Sequence, residues 1–287
     1  MKKMVIISGK GGTGKTSLVG SFAALARQKA VFVDGDVDAA NLSLIMKPIP
    51  IKEFEFRASR VAVIDPEKCL SCDLCRELCR FEAISGEYAV DPISCEGCGF
   101  CYYSCPHKAI VMEERLSGRW FISETPYGTL VHARLGIAEE NSGKLVTTIR
   151  NEGQELASEN NKEYLLIDGP PGIGCPVIAS LSGVDAALVV TEPTVSGIHD
   201  MDRVLAVCRH FDVPAAVCIN RYDLGEEQSG TIEDYCKKRN ISLVGRIPFD
   251  RVFVEAMVQG VPVVEFTDGL ASRTIITVWE NFLTAFN

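Results

Sequence analysis

Lys3-Met4-Val5-Ile6-Ile7-Ser8-Gly9-Lys10-Gly11-Gly12-Thr13-Gly14-Lys15-Thr16 decides the fold of this chain. Residues 3–8 read as a buried strand. Gly9 to Thr16 match G-x-x-x-x-G-K-[ST]. The helix that follows places Leu18, Phe22, Leu25 and Ala26 on one face. Strand, glycine loop and helix are the context in which this motif closes backbone N–H groups around phosphates. The glycines supply the backbone freedom and the helix N-terminus adds partial positive charge. Gly11, Gly12, Thr13, Gly14, Lys15, Thr16 and Ser17 are the candidate nucleotide contacts. Lys15 would bring a point charge to the β/γ-phosphates, and the Thr16 hydroxyl would ligate Mg2+.

Working outward, strands alternate with helical stretches. Ala30–Val33, Tyr164–Ile167, Ala186–Thr191, Ala215–Asn220 and Leu243–Gly245 read as strands. Residues 197–211, 229–239 and 251–258 read as helices. Residues 116–141 read as further strand and loop (119–123, then 129–133), rejoining the core through a helix near Ser142. This pattern predicts an α/β fold with a doubly wound, mostly parallel sheet covered on both faces. A last helix, about Ala271–Phe286, has one basic residue, Arg273, and reads as docked on the sheet.

Between Cys69 and Cys105 the pattern changes. Cys69, Cys72, Cys75 and Cys79 form C-x-x-C-x-x-C-x-x-x-C, and Cys95, Cys98, Cys101 and Cys105 repeat it. Val63-Ile64-Asp65-Pro66 matches Ala89-Val90-Asp91-Pro92, and Ala83-Ile84 matches Ala109-Ile110, every pair 26 positions apart. A duplicated unit explains the period. The spacing resembles the ligand run of a bacterial two-cluster ferredoxin, in which the fourth Cys of each run ligates the other cluster. That resemblance assigns Cys69, Cys72, Cys75 and Cys105 to one 4Fe–4S cluster, and Cys95, Cys98, Cys101 and Cys79 to a second. Four thiolates from paired C-x-x-C units also suit zinc, and disulfides are the other alternative. The second run ends Cys105-Pro106; the first ends Cys79-Arg80, a departure that leaves all ligands in place.

The 287 residues allow one α/β domain plus a small insert, and 47% hydrophobic content allows a large core. No apolar run approaches the ~20 residues of a membrane span, and the start is too short for a signal peptide. A cytoplasmic location with no integral membrane segment is expected. Net charge is −9, and residues 59–114 hold ten acids against five Lys/Arg. That argues against a nucleic-acid partner and is compatible with steering a basic redox partner. Cys208, Cys218 and Cys236 read as small hydrophobes and Cys175 as a buried structural thiol. His107, His132, His199 and His210 show no paired spacing.

The second lysine of the loop, Lys10, makes it K-G-G-x-G-K-T. Here the chain resembles the deviant-Walker ATPases that include MinD, ParA, the nitrogenase iron protein and the Mrp iron–sulfur carriers. The resemblance implies ATP/ADP binding, a face-to-face ATP dimer, and a Lys10 that reaches the partner's phosphates. Asp34-Gly35-Asp36 with Asn41-Leu42 resembles the first switch, so Asp36 would orient the attacking water near magnesium. Asp168-Gly169-Pro170-Pro171-Gly172 resembles the second, so Asp168 would hold Mg2+ through water and Gly172 would sense the γ-phosphate. Asn220 and the loop Ile247-Pro248-Phe249 would line the base. Cys175 stands at the offset of a bridging-cluster ligand in the nitrogenase iron protein, but its companion is replaced by Asn141-Ser142-Gly143-Lys144.

The combination resembles MinD-superfamily ATPases (P-loop NTPases) with an inserted, small α+β ferredoxin-like domain. Such chains are often labelled cobyrinic acid a,c-diamide synthase, an amidation for which no glutaminase domain is expected here. The implied domains are 1–58 with 115–287 for the ATPase and 59–114 for the insert. The expected function is an ATPase whose dimerisation gates electron transfer or redox signalling at two 4Fe–4S clusters. Hydrolysis would be slow and partner-stimulated. The alternatives are an iron–sulfur carrier or assembly ATPase, and a MinD-like positioning ATPase with structural clusters. Implied partners are a second copy or a related ATPase, and an unidentified redox or iron–sulfur protein.

Overall fold

The computed structural model describes residues 1–136 and 142–286. The end of the predicted 116–141 stretch, and Asn141 of the Asn141–Lys144 stretch, therefore lie outside the described residues. The nine strands are β1 (Lys2–Ser8), β2 (Ala30–Asp34), β3 (Ile49–Ile64), β4 (Ile110–Thr125), β5 (Gly128–Leu135), β6 (Tyr164–Pro171), β7 (Ala186–Thr191), β8 (Ala215–Asn220) and β9 (Ser242–Ile247). They form one sheet in the order β3-β4-β5-β2-β6-β1-β7-β8-β9. Every pairing from β5 to β9 is parallel. The α/β, mostly parallel reading holds.

The helices are α1 (Lys15–Ala26), α2 (Leu42–Met46), α3 (Leu74–Leu78), α4 (Phe100–Ser104), α5 (Ser142–Glu159), α6 (Cys175–Leu181), α7 (Val195–His210), α8 (Glu226–Lys238), α9 (Val252–Gln259), α10 (Val263–Phe266) and α11 (Leu270–Ala285). Alternation along the strands feeds both faces of the sheet. Phe32 and Leu166 join Leu18 and Phe22 of α1 and Ile275, Val278 and Phe282 of α11 in one apolar layer. Val31, Val33 and Leu165 point the other way and meet α5, which comes so close that only Gly153 fits there. Each large side chain fully buried here contributes roughly 1.5–3 kcal/mol. Cys208, Cys218 and Cys236 are buried as expected, and burial pushes their thiols up to about 12, 12 and 11. The last helix packs on β9, its Trp279 ring 5.0 Å from Phe22.

Two long strands depart from the sequence reading. β3 was not read at all, and β4 extends the predicted 119–123 strand back to Ile110. Asp65 N–H donates to the Ala109 carbonyl at 2.7 Å and Ser59 Oγ meets Ser117 Oγ at 2.8 Å, an antiparallel progression. The chain separates into two compact units. One holds Met1–Phe54, Trp120–Arg134 and the residues from Ser142 onward; the other is built on Glu55–Arg119. The division falls inside β3 and β4, whereas the expected boundaries lie at 58/59 and 114/115, because hydropathy alone does not mark a point within a continuous strand.

The second unit repeats its backbone at the 26-residue period. α3 and α4 are in register with that offset. Left-handed residues recur in matching pairs: Ser71 and Gly97, Asp73 and Gly99, Glu82 and Lys108. Cys69 N–H donates to the Asp65 carbonyl as Cys95 N–H does to Asp91, and Glu82 to Cys79 as Lys108 to Cys105. Two halves of different sequence thus take one conformation.

Candidate nucleotide site and cysteine cavities

The phosphate loop connects β1 to α1. Gly14 caps α1 at φ 85°, left-handed, and a Cβ there would collide with the Asn220 amide. The resulting cavity, of about 640 Å³, is lined by Gly11 to Ser17, by Asp36, and by Pro170 and Pro171. Leu44, Arg221 and Met257 also stand in its wall.

Carboxylates gather at the strand ends. Lys15, 5% exposed, places Nζ 2.5 Å from Asp168 Oδ1 and 3.8 Å from Asp36 Oδ2. Asp34 lies beside them, fully buried, accepting from the N–H groups of Leu42 (3.2 Å) and Asp36 (3.3 Å). Burial first, then the charge of Asp168, holds its carboxyl well above the ordinary carboxylate range. Burial also raises Asp36, against the pull of Lys15. Asp168 Oδ2 and Thr13 Oγ1 are buried with no hydrogen-bond partner. Their unspent capacity suits an arriving cation or nucleotide oxygen.

Several expected residues do not line the cavity. Lys10 is outside the cavity wall and pairs with Glu192 at 3.0 Å. Gly172, at φ 93°, donates its N–H to the Ser8 carbonyl rather than lining the cavity. Asn220 is buried and donates its amide to the Thr13 carbonyl at 2.8 Å. It braces the phosphate loop; Pro248 likewise lies off the wall, whereas Arg221 and Met257 line it. Glu192 at the end of β7 was missed. It holds both Lys10 and Arg221. Nothing in Thr191-Glu192-Pro193 signals this, because its partners come from two other strand ends.

Cys175 is exposed at the start of α6, not buried. The turn through Gly174 leaves its side chain at the surface, next to Gly143. His132 is buried, 2.8 Å from Ser123 Oγ, and stacks on Phe121. Burial, aided by Arg134, lowers it to about 4.

In the second unit, two cavities divide the eight thiols. One is lined by Cys79, Cys95, Cys98 and Cys101, with Ala62, Phe81, Ile84, Phe100 and Met112 among its walls, and has a volume of about 380 Å³. The other is lined by Cys69, Cys72, Cys75 and Cys105 with Ile64, Leu74 and Ile110, and has a volume of about 20 Å³. Burial raises the thiols of Cys75 and Cys101, each with its own cavity's cysteines adding to the shift. Among the described residues, no three His, Cys, Asp or Glu side chains are gathered closely enough to hold a single metal ion.

The loop, the buried lysine and the strand-end carboxylates define a P-loop nucleotide-binding α/β protein. The chain belongs to the family described as the CobQ/CobB/MinD/ParA nucleotide binding domain, matched over residues 4–263, and is a MinD/ParA-type ATPase. It is 37% identical over 222 residues to Uncharacterized protein MJ0578 of Methanocaldococcus jannaschii, covering 76% of this chain and 78% of that one. It is 25% identical over 287 residues to septum site-determining protein MinD of Neisseria meningitidis serogroup B, covering 95% and 87%. The solved MinD of Pyrococcus horikoshii OT3, complexed with Mg-ADP, matches at a TM-score of 0.60 and 19% identity, covering 97% and 94%. That likeness concerns the fold. No helix among the described residues is long and apolar enough to cross a membrane.

Proposed function

We propose that this ATPase uses its nucleotide state to gate electron transfer or redox signalling at two 4Fe–4S clusters. The clusters are carried by an insert at 59–114 within an ATPase domain of 1–58 and 115–287. The observation that carries this reading is the division of thiols between the cavities. Each set of four is the set the ferredoxin resemblance assigns, crossed at Cys79 and Cys105. Thiolate sulfur with otherwise largely apolar walls is the donor set that iron–sulfur clusters take. When bound, such clusters supply one-electron chemistry; the chain supplies the thiolates and limits water.

At the nucleotide site, ATP or ADP fits the loop, and Thr16, Asp36 and Asp168 are the candidate holders of Mg2+. The orphaned Asp168 Oδ2 supports that assignment. Asp36 is placed to orient water, because it lines the cavity beside Lys15. A nucleotide phosphate would compete for Lys15 and leave the carboxylates to the cation. Lys10, released from Glu192, would serve the phosphates of a second copy or a related ATPase in a dimer. A location in the cytoplasm suits free thiols.

The test is anaerobic purification followed by EPR of the reduced protein with and without MgATP. Two 4Fe–4S signals whose potentials move with MgATP are expected. A cluster-free protein sinks the iron–sulfur part, and unmoved potentials sink the gating. The similarity to MinD over most of the chain favours one further reading, a positioning ATPase with structural clusters. It predicts ATP-dependent assembly with redox potentials indifferent to nucleotide.

A further inference from the structure

The two halves of the cysteine unit share a backbone but differ at their surfaces. At the 26-residue offset, Leu74 corresponds to Phe100, Glu77 to Tyr103 and His107 to Phe81. The cavity holding Cys98 therefore carries the rings of Phe81 and Phe100 where the other, besides Tyr88, carries His107 and a partly buried Leu74, and Tyr103 takes the place of Glu77 on the neighbouring helix. Phe81 and Phe100 line that cavity, 45% and 55% exposed, and Tyr103 on the same short helix is 83% exposed. Tyr102 packs edge-on against Tyr103. Burying such rings under a partner would contribute more than any other change at this surface, since large aromatics dominate interface energetics.

The charge around the rings is acidic. Glu77 and Glu82 flank the Leu78–Phe81 stretch of the cavity wall, and Glu96 lies in the wall itself; Arg80 is the cation among them. An apolar centre with an acidic rim matches a partner with an apolar patch and a lysine- or arginine-rich rim. The rings also lie beside the thiols, so a protein seated on them brings its own redox centre close to whatever those thiols hold.

We infer that the Phe81–Phe100–Tyr103 face is the docking surface for a basic-rimmed electron-transfer protein, and that the Cys79/Cys95/Cys98/Cys101 side is the electron port. This inference rests on the iron–sulfur reading above. The exchange is one electron, with no bond made or broken: the partner's centre gains what the thiolate-held centre loses, or the reverse.

The test uses the anaerobically purified full chain and ferricytochrome c, a lysine-rimmed haem protein, as the probe. Affinity is measured by titration calorimetry at low and high salt, and haem reduction by stopped flow with the dithionite-reduced chain. For Tyr102→Ser with Tyr103→Ser, two exposed rings outside the cavity wall, affinity and the second-order reduction rate should each fall at least tenfold. The EPR signals should stay as in the wild type. Leu70→Ser, an exposed apolar residue on the other half, should change neither. Raising salt should weaken wild-type binding. Unchanged affinity in the double variant with its EPR signals intact overturns the docking surface alone. Equal losses from Leu70→Ser overturn the choice of port. A wild-type chain without cluster signals overturns the iron–sulfur reading, and the inference with it.

Discussion

Lys10 Nζ stands 3.0 Å from Glu192 Oε2, so the first lysine of the phosphate loop is held by a carboxylate of its own chain. Glu192 also binds Arg221, which lines the nucleotide cavity. One largely buried anion thus occupies two cations that a polyphosphate would otherwise recruit. Glu192→Gln removes the competitor while keeping the shape. Nucleotide should bind about tenfold more tightly, ~1.4 kcal/mol, in a fluorescent-nucleotide titration. Unchanged or weaker binding would mean that Glu192 organises the site instead.

The Lys15–Asp168 pair is wholly buried, with Asp34 beside it. Lys15→Ala should abolish nucleotide binding and also destabilise the empty protein. Breaking one side of a buried pair costs about 3–5 kcal/mol. Urea unfolding of Lys15→Met against Lys15→Met with Asp168→Asn separates the causes, since the double variant should recover much of the loss. No recovery would place the cost in packing.

Asn220 holds the phosphate loop by its amide, through the Thr13 carbonyl at 2.8 Å. Asn220→Asp replaces that donor with a charged acceptor facing the carbonyl, so nucleotide affinity should fall further than in Asn220→Ala. The opposite order would return Asn220 to direct contact with the base.

How much of this was visible in the chain depended on distance along it. The phosphate loop, its flanking strand and helix, and the cysteine repeat are local patterns, and each lies where its spacing puts it. Glu192, Arg221 and Met257 reach the nucleotide site from separate strand ends and a helix, so no window of sequence holds them together. The bond from Asn220 to the phosphate loop was not legible, because Thr13 and Gly14 lie some two hundred residues away. β3 escaped for another reason. Residues 49–55 are exposed, with apolar and polar side chains following no buried alternation, and only pairing with β4 makes them a strand.

Sharing of thiols across the repeat has a spectroscopic signature. Cys79→Ser removes a thiol from the cavity of Cys95, Cys98 and Cys101. Its reduced EPR spectrum should therefore match that of Cys98→Ser and differ from that of Cys72→Ser. Cys105→Ser should match Cys72→Ser. A Cys79→Ser spectrum resembling Cys72→Ser would mean that each run keeps its own four ligands.

His132 predicts an acid limb in stability. Its folded value is about 4, against an ordinary 6.5. Between those values the unfolded ring takes up a proton that the folded one refuses, so stability falls as pH drops from about 6.5 to about 4 and no further from this group. The full loss is about 3 kcal/mol. Thermal melts of the wild type and His132→Gln at pH 7 and pH 4.5 check it. The wild type should lose more, and parallel losses would exclude the histidine as the cause.

The chain leaves the ATPase unit along β3 and comes back along β4, its neighbour in the sheet. Departure and return therefore run side by side, like the two arms of a hairpin whose tip is the chain between them. Lengthening such a tip closes a larger loop at a cost that grows only with the logarithm of its length, and it rethreads no strand. The sheet is thus indifferent to the length of chain between β3 and β4: a small module whose ends emerge as a paired ribbon leaves its strand order unchanged.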